Sequence, residues 1–357
     1  MEFEHILSLL VCPECGQKFA WHPLESSPAG DSGPHGLLEC PRRHRFPVIA
    51  GVARFLREPL FSALRQRYAW YFERVDGSLW PRAEQTCEPT DRSSVLLKTV
   101  DRFEYEWTRY ADYSAENFTR FLAPVRSRLG PGIVALDAGC GAGRHLEALA
   151  ETGVHVVGVD LSWAVDAAAR RTRHHSRFHV IQADILHLPF ERATFDVVYS
   201  LGVLHHMDDP AAAVATLVRT LRPGGFLLAW VYMRTWRKIL LEPVRRLVGA
   251  FSPKWIDVIG MILASLEYGL VIGPYAWLCR IGGRPLLPLL VPLRIQEYAR
   301  LGFRVSRIDW YDRLAAPVSR PMTLDQARAL LDLPELQDQA VNAVDDSWWQ
   351  CFAQVRR

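Results

Sequence analysis

From residue 133 onward, short apolar runs alternate with stretches of helical spacing. The apolar runs predict buried strands at residues 133–136, 155–159, 178–182, 195–200 and 226–231. The stretches between them predict helices, at 144–151, 163–173 and 210–221. This order predicts an α/β fold with a mostly parallel, doubly wound sheet that helices cover on both faces. A helix at 324–331 and an alternating run at 348–355 close the chain.

Changes in composition divide the chain into three parts. Residues 1–57 are short apolar stretches broken by Pro and Gly, which predicts a small module dominated by loops. Residues 58–129 place apolar and aromatic positions at helical spacing around a polar linker, which predicts a helical linker and lid region. We expect the main domain over 130–357, with an apolar insertion at 236–293.

The insertion contains a strongly apolar stretch. Between residues 258 and 279 only Glu267 is charged, and basic residues flank the stretch. It is long enough to cross a bilayer, but a single crossing would separate segments that are expected to share one sheet. We therefore expect a helical cap over a binding pocket, or a peripheral membrane contact through 255–293. A plain structural cap or a dimer face is equally compatible with the pattern.

Composition limits the partners and the cellular compartment that we expect for the protein. The chain is 49% hydrophobic and 23% charged, as in ordinary globular proteins. A net charge of +3, with acids and bases interleaved, argues against nucleic acid as a partner. Seven cysteines are spread along the chain without a disulfide-type framework. Since the first residues also lack the positive charge of an export signal, we expect a cytoplasmic protein, with the membrane periphery as an alternative.

The first predicted strand leads into a glycine-rich turn before a helix. Gly139, Gly141 and Gly143 let the backbone turn sharply and approach a ligand closely, and the free amides at the helix start attract a negative group. The second strand ends at Asp160, whose carboxylate can accept hydrogen bonds from both hydroxyls of a ribose. The glycine-rich turn and Asp160, at this spacing, together predict a nucleotide-containing cofactor.

The details favour S-adenosylmethionine (SAM) over a dinucleotide. The third glycine comes one position earlier than in the dinucleotide fingerprint, and Asp137 places an acid just ahead of the turn. An acid there suits a cationic ligand better than a pyrophosphate. SAM carries a sulfonium and an amino group, which Asp137 can hold directly or through water.

Residues 133–231 resemble the class I SAM-dependent methyltransferases, in the branch that acts on small molecules of quinone and natural-product pathways. Asp184 and Ile185 stand where the resemblance places contacts to adenine, Leu161 follows Asp160, and Ser200 lies on the strand beneath the methyl donor. The resemblance implies a Rossmann-like fold with SAM as the cofactor.

Methyl transfer is an in-line displacement that orientation and the exclusion of water can accelerate without a fixed catalytic residue. A base helps only where the acceptor must lose a proton. His205 and His206 stand where such a base could lie, although both can equally be packing residues. Aromatic residues at 101–113 could gate the site, or pack as core.

The N-terminal module contains a candidate metal site. Cys12 and Cys15 form one close pair, and Cys40 and His44 form a second across a loop. These are ligands of a structural tetrahedral zinc site, and so small a module needs such a staple. The segment resembles the zinc ribbons fused to bacterial methyltransferases and the zinc module of ribosomal RNA methyltransferases. The alternative is a degenerate ribbon without metal.

The sequence thus predicts transfer of a methyl group from SAM to a small, apolar acceptor such as a metabolite or lipid. One alternative is an RNA methyltransferase guided by the zinc module, and the other is a non-catalytic SAM-binding scaffold. The sequence fixes neither the acceptor nor the oligomeric state.

Overall fold

The structure, a computed structural model, describes residues 2–24, 33–75, 91–110, 121–281, 293–344 and 346–357. The predicted linker and lid region therefore falls partly outside the described residues, at 76–90 and 111–120. The end of the predicted insertion also lies outside them, at 282–292.

The described strands form one sheet in the order β1-β2-β3-β4-β7-β6-β5-β8-β9-β11-β10. Their bounds are β1 Ala20–Pro23, β2 Gly36–Glu39, β3 Arg45–Ile49, β4 Val52–Phe55, β5 Val134–Ala138, β6 His155–Asp160, β7 Phe178–Ala183, β8 Phe195–Leu201, β9 Leu221–Tyr232, β10 Leu336–Val344 and β11 Trp348–Val355. The central strands β7, β6, β5, β8 and β9 are parallel. The predicted parallel α/β fold is therefore confirmed.

Antiparallel strands extend the sheet at both ends. At one end β11 pairs with β9, and β10 pairs with β11. At the other end β1 to β4 form a meander, and β4 then pairs in parallel with β7. Because main-chain hydrogen bonds join β4 to β7, the segment predicted as an N-terminal module continues the central sheet.

The helices are α1 Glu2–Leu9, α2 Leu60–Arg67, α3 Ala69–Arg74, α4 Asp91–Arg109, α5 Arg144–Ala148, α6 Val165–Thr172, α7 Pro210–Thr220, α8 Trp236–Val248, α9 Pro253–Glu267, α10 Gly273–Ile281, α11 Leu293–Leu301, α12 Phe303–Ala315 and α13 Leu324–Ala329. Local chemistry sets some of these boundaries. Pro210 opens α7, and the Asp209 carboxylate accepts a hydrogen bond from the Ala212 amide at 2.9 Å.

Side chains of the central strands bury two apolar layers, one on each face of the sheet. On β5, Leu136 and Ala138 pack into one layer, and Ala135 packs into the other. This division follows from the alternation of side chains along a strand. The functional positions lie at the carboxyl ends of these strands, where the chain turns away from the sheet.

The insertion folds as helices that return to the main domain. Together with the π-helical turn Tyr268–Ile272, α9 and α10 form one helical run over Pro253–Ile281. Within the described residues, this run has the length and apolar composition of a membrane span, and an 18-residue stretch of it has a mean hydropathy of 1.7. On its inner side the Asp257 carboxylate, which is buried, pairs with Arg307 of α12 at 2.9 Å and accepts from Tyr110. The run therefore packs on the domain, and the chain then returns to the sheet through β10 and β11.

Candidate active site

The glycine-rich turn joins β5 to α5, and each of its glycines has a positive φ, of 94° at Gly139, 52° at Gly141 and 75° at Gly143. Two of them also allow close packing inside the protein. A Cβ at Gly139 would lie 2.2 Å from Val203, and a Cβ at Gly143 would lie 3.0 Å from Ala168. Gly141 faces the indole ring of Trp107, 3.2 Å from the position of an added Cβ. Gly141 is thus the glycine of this turn that faces helix α4.

Asp160 lies beside this turn, as the sequence predicts. The Gly141 amide donates a hydrogen bond to Asp160 Oδ2 at 2.8 Å. The Ser162 amide and hydroxyl donate to Asp160 Oδ1 at 2.8 and 2.6 Å. Burial raises the pKa of the Asp160 carboxyl, and these hydrogen bonds oppose that effect. The carboxylate is thus fixed in orientation at the end of β6, where it can accept from a ligand hydroxyl.

Asp137 is the penultimate residue of β5, beneath the turn, and is 1% exposed. Within the described residues, neither of its carboxyl oxygens makes a hydrogen bond of normal geometry. Burial, and next the Asp160 charge, raise the pKa of Asp137 to about 8, while the Tyr199 hydroxyl opposes the rise. Unpaired buried carboxyls are rare because they are costly. The pair of oxygens fits the amino group of a ligand such as SAM, so the residues present suit this cofactor.

The other predicted cofactor residues lie at the same edge of the sheet and differ in burial and hydrogen bonding. The Asp184 carboxylate caps a short 3₁₀ turn by accepting from the Leu186 amide at 2.9 Å. Ile185 is buried beside it, and Leu161 is partly buried after β6. The Ser200 hydroxyl, which is buried, donates to the Ala138 carbonyl at 2.8 Å and so joins β8 to β5.

His205 and His206 follow β8. His205 is fully buried, its ring lies 4.0 Å from that of Tyr232, and burial lowers its pKa well below the usual value. His206 Nδ1 lies 2.7 Å from the Val318 carbonyl oxygen, and burial lowers its pKa as well. Neither histidine lines the cavity of about 190 Å³ that lies beside the glycine-rich turn. Their contacts are those of packing and positioning residues.

A cavity of about 190 Å³ lies beside the glycine-rich turn. Aromatic side chains form much of its wall: Phe103, Trp107, Phe121, Trp230, Tyr232, Tyr298 and Trp348. Charged side chains complete it: Glu106, Arg144, Lys238, Glu297, Asp309, Asp312 and Arg313. Since Trp107 touches both the cavity and Gly141, the cavity is next to the predicted cofactor position.

Sequence reasoning found the aromatic segment of this cavity but missed most of its wall. Phe103 and Trp107 line it, whereas Tyr105 and Tyr110 pack against Asp257 and Tyr311 instead. Tyr113 lies outside the described residues. The charged lining comes from α4, α5, α8, α11 and α12, and no local pattern marks residues that only the fold brings together.

The predicted metal ligands form a compact cluster at the other end of the sheet. The ligand atoms of Cys12, Cys15, Cys40 and His44 all lie within 4.8 Å of one another. His44 Nδ1 lies 3.4 Å from Cys12 Sγ and 3.4 Å from Cys40 Sγ, and Cys15 Sγ lies 3.6 Å from Cys40 Sγ. With zinc bonds of about 2.0 to 2.3 Å, tetrahedral ligand atoms lie about 3.5 to 3.8 Å apart. The cluster therefore has the dimensions of a zinc site.

The fold and this edge of the sheet define a Rossmann-like SAM-dependent methyltransferase domain. Residues 136–229 match the family model described as a methyltransferase domain. The chain thus carries a methyltransferase domain of the SAM-dependent class, as the sequence predicts.

Curated relatives share parts of the chain. A tRNA U34 carboxymethyltransferase of Pseudoalteromonas atlantica is 38% identical over 195 residues, 54% of this chain and 51% of that protein. A ubiquinone biosynthesis O-methyltransferase of Xylella fastidiosa is 37% identical over 116 residues, 32% of this chain and 47% of that protein. The chain therefore spans about half the length of these relatives.

Among solved structures, a SAM-dependent methyltransferase of Mesorhizobium loti is 30% identical over 31% of this chain and 52% of its own, with a TM-score of 0.28.

Proposed function

We propose that the protein transfers a methyl group from SAM to a small acceptor bound in the aromatic cavity. The observation that carries this proposal is the buried Asp137 carboxyl beneath the glycine-rich turn, which makes no hydrogen bond of normal geometry within the described residues and has only the Tyr199 hydroxyl nearby. A ligand with an amino group would give these oxygens hydrogen bonds of normal geometry. In this assignment Asp137 holds the amino group of SAM, Asp160 accepts from the ribose hydroxyls, and Asp184 and Ile185 contact the adenine.

The cavity supports transfer because it adjoins the cofactor position and has a largely aromatic wall. SAM supplies the electrophilic methyl group on its sulfonium. Trp107 and Trp230 line the cavity, and a site of defined shape can hold acceptor and methyl group in line. In this proposal His205 and His206 help to position Tyr232, which lines the cavity, and do not take a proton from the acceptor.

A small acceptor fits the site better than RNA does. The cavity volume suits one ring system, and its aromatic walls favour an apolar, flat molecule. The relatives named for tRNA U34 support RNA as the second candidate. Salt-dependent binding of a tRNA pool would favour that candidate, because phosphate contacts release counterions.

Methyl-labelled SAM tests the proposal directly. The full-length protein is incubated with labelled SAM and a fractionated metabolite extract, and products are identified by mass. We expect label in a small molecule with wild-type protein and its loss with Asp137→Asn. The surface variant Asp325→Asn should behave as the wild type does. Label that enters only RNA would favour the second candidate, and no label with any fraction would favour the scaffold.

Cys12, Cys15, Cys40 and His44 are proposed to hold a structural zinc ion. Four protein ligands leave no position for a reacting water, so the metal would stabilise the meander of β1 to β4 and take no part in methyl transfer. The distances between the ligand atoms support this assignment.

The exposed side of the insertion supports a peripheral membrane contact of a cytoplasmic protein. Trp236, Trp255 and Trp277 on α8, α9 and α10 are 69%, 62% and 61% exposed. Apolar neighbours along the same helices are also exposed: Ile239, Leu240, Leu247, Ile262, Leu266, Leu270, Leu278 and Ile281. Groups of neighbouring exposed apolar side chains mark binding surfaces. With Arg246 and Lys254 nearby in the chain, the surface suits anionic lipid.

A further inference from the structure

We propose that Glu106 is the base that accepts the proton from a hydroxyl group of a flat aromatic acceptor. This inference rests on the proposed methyl transfer and names the acceptor class of the same cavity. Nothing in the glycine-rich turn or the histidine pair supplies such a base within the cavity.

Glu106 occupies the position that this role requires. It lies on α4 one residue before Trp107, which contacts the glycine-rich turn at Gly141. Its side chain lines the cavity and is 2% exposed. Glu106 Oε2 has no hydrogen-bond partner among the described residues. A buried acceptor atom without a partner is costly unless a ligand completes it.

The other carboxyl groups of the cavity already have partners. Asp312 accepts a hydrogen bond from the Tyr232 hydroxyl. Asp309 pairs with Arg313 on the same helix, α12. Glu297 of α11 also has a partner. Asp309 Oδ2 also makes no hydrogen bond of normal geometry, but it lies in that ion pair. Glu106 Oε2 is therefore the carboxyl oxygen of this wall that has neither a hydrogen bond nor an ion pair within the described residues.

Burial, and after it the neighbouring charges, set the proton affinity of Glu106. Burial raises its pKa well above the usual value, the nearby Asp312 and Asp309 charges add to the rise, and Arg144 of α5 opposes it. His145 of α5, Lys238 of α8, Glu297 of α11 and Arg313 of α12 face the same cavity. A carboxylate with a raised pKa is a stronger base than an exposed one.

The lining favours a ring that carries a hydroxyl group. Phe103, Trp107, Phe121 and Trp230 offer faces and edges on which a flat ring packs. A phenolic oxygen is a poor nucleophile until its proton leaves. In the proposed step the O–H bond breaks and the proton passes to the Glu106 carboxylate. The oxygen forms a bond to the methyl carbon, the carbon–sulfur bond breaks, and S-adenosylhomocysteine leaves. The Glu106 proton returns to water after the product departs.

Phenols and matched amines test the acceptor class. The full-length protein with SAM is assayed on catechol and 1-naphthol, and in parallel on o-phenylenediamine and 1-naphthylamine. Product masses and released S-adenosylhomocysteine are measured. We expect methylated phenols and at most trace methylation of the amines. If wild-type protein binds SAM but methylates none of the phenols, or methylates the amines equally, the inference is overturned.

Variants on α4 test the residue. Glu106→Gln should lower kcat on catechol by about 100-fold or more while SAM affinity stays within about twofold, because the base acts only on the acceptor. Glu106→Asp should recover part of the activity. The control Glu104→Gln, at a residue paired with Arg67 outside the cavity, should keep wild-type turnover.

Equal turnover of Glu106→Gln and wild type would overturn the assignment to Glu106. Wild-type protein that fails to bind SAM would instead contradict the proposed function, so the two failures are distinguishable.

Discussion

The Arg54 guanidinium donates a hydrogen bond to the Gln182 side chain at 2.8 Å and so joins β4 to β7 beyond their main-chain pairing. The same guanidinium pairs with Asp166 of α6 at 2.5 Å, and Asp166 also accepts from the Tyr68 hydroxyl. Arg54 is fully buried. A buried ion pair thus ties the N-terminal strands to the methyltransferase domain.

Replacement of Arg54 by Met should lower the free energy of unfolding by about 3 kcal/mol, because the largely buried Asp166 loses its closest cationic partner and keeps only the Tyr68 hydroxyl and the more distant Arg67 guanidinium. Urea denaturation of the two proteins measures the difference.

The matched control is Arg57→Met, which removes an exposed pair with Glu14 and should cost under about 1 kcal/mol. Equal losses in the two variants would show that the Arg54 network contributes nothing special to the junction.

Asp137 should make stability depend on pH. Its pKa is about 8 in the folded protein against an ordinary value of 3.8, so the folded state retains a proton that the unfolded chain releases. Stability from this group is complete below the ordinary pKa and falls as pH rises through about 8. In the absence of SAM, Asp137→Asn should therefore gain stability relative to wild type at pH 8 but not at acidic pH. A pH-independent difference in urea denaturation would contradict the raised pKa.

Much of the fold and the cofactor side of the site could be predicted from local sequence. Asp137 and Asp160 lie at the carboxyl ends of strongly apolar strands, and Gly141 lies in the turn that follows the first of them. The structure brings the three residues together. The strand β10 escaped prediction because its polar, half-exposed sequence has no clear apolar period. The role of β4 as a partner of β7 escaped as well, because pairing between segments over a hundred residues apart leaves no local signal.

Glu106 could not be singled out from the sequence alone. In the sequence Glu106 is one of several acidic residues on a helix. Glu104, two positions earlier, also lies between aromatic residues. Only the packing of α4 against α5 and α12 separates the buried Glu106 from the ion-paired Glu104.

The cysteine cluster predicts about one zinc ion per chain purified without chelator. Elemental analysis should find it in wild type and in the control Cys279→Ser, whose cysteine lies outside the cluster on α10. The double variant Cys12→Ser, Cys15→Ser should lose both the metal and part of its stability. Metal-free wild-type protein with full stability would leave a ribbon held by its apolar core.

The exposed tryptophans predict binding to lipid. Wild-type protein should float with vesicles that contain phosphatidylglycerol, and less with phosphatidylcholine alone, because basic residues of the surface add electrostatic attraction. The double variant Trp236→Ser, Trp255→Ser should float less, since each tryptophan is more than half exposed. Wild-type protein that stays with the unbound fraction in both mixtures would contradict a membrane contact.

Calorimetric titration with SAM tests the central claim most directly. Wild-type protein should bind SAM, and Asp160→Ala should weaken binding by about 1.5 to 3 kcal/mol, because the carboxylate at the end of β6 accepts from the ribose hydroxyls. The surface control Asp325→Ala should leave the affinity unchanged. Wild-type protein that binds no SAM, or an Asp160→Ala variant with wild-type affinity, would contradict the assignment of the cofactor to this edge of the sheet.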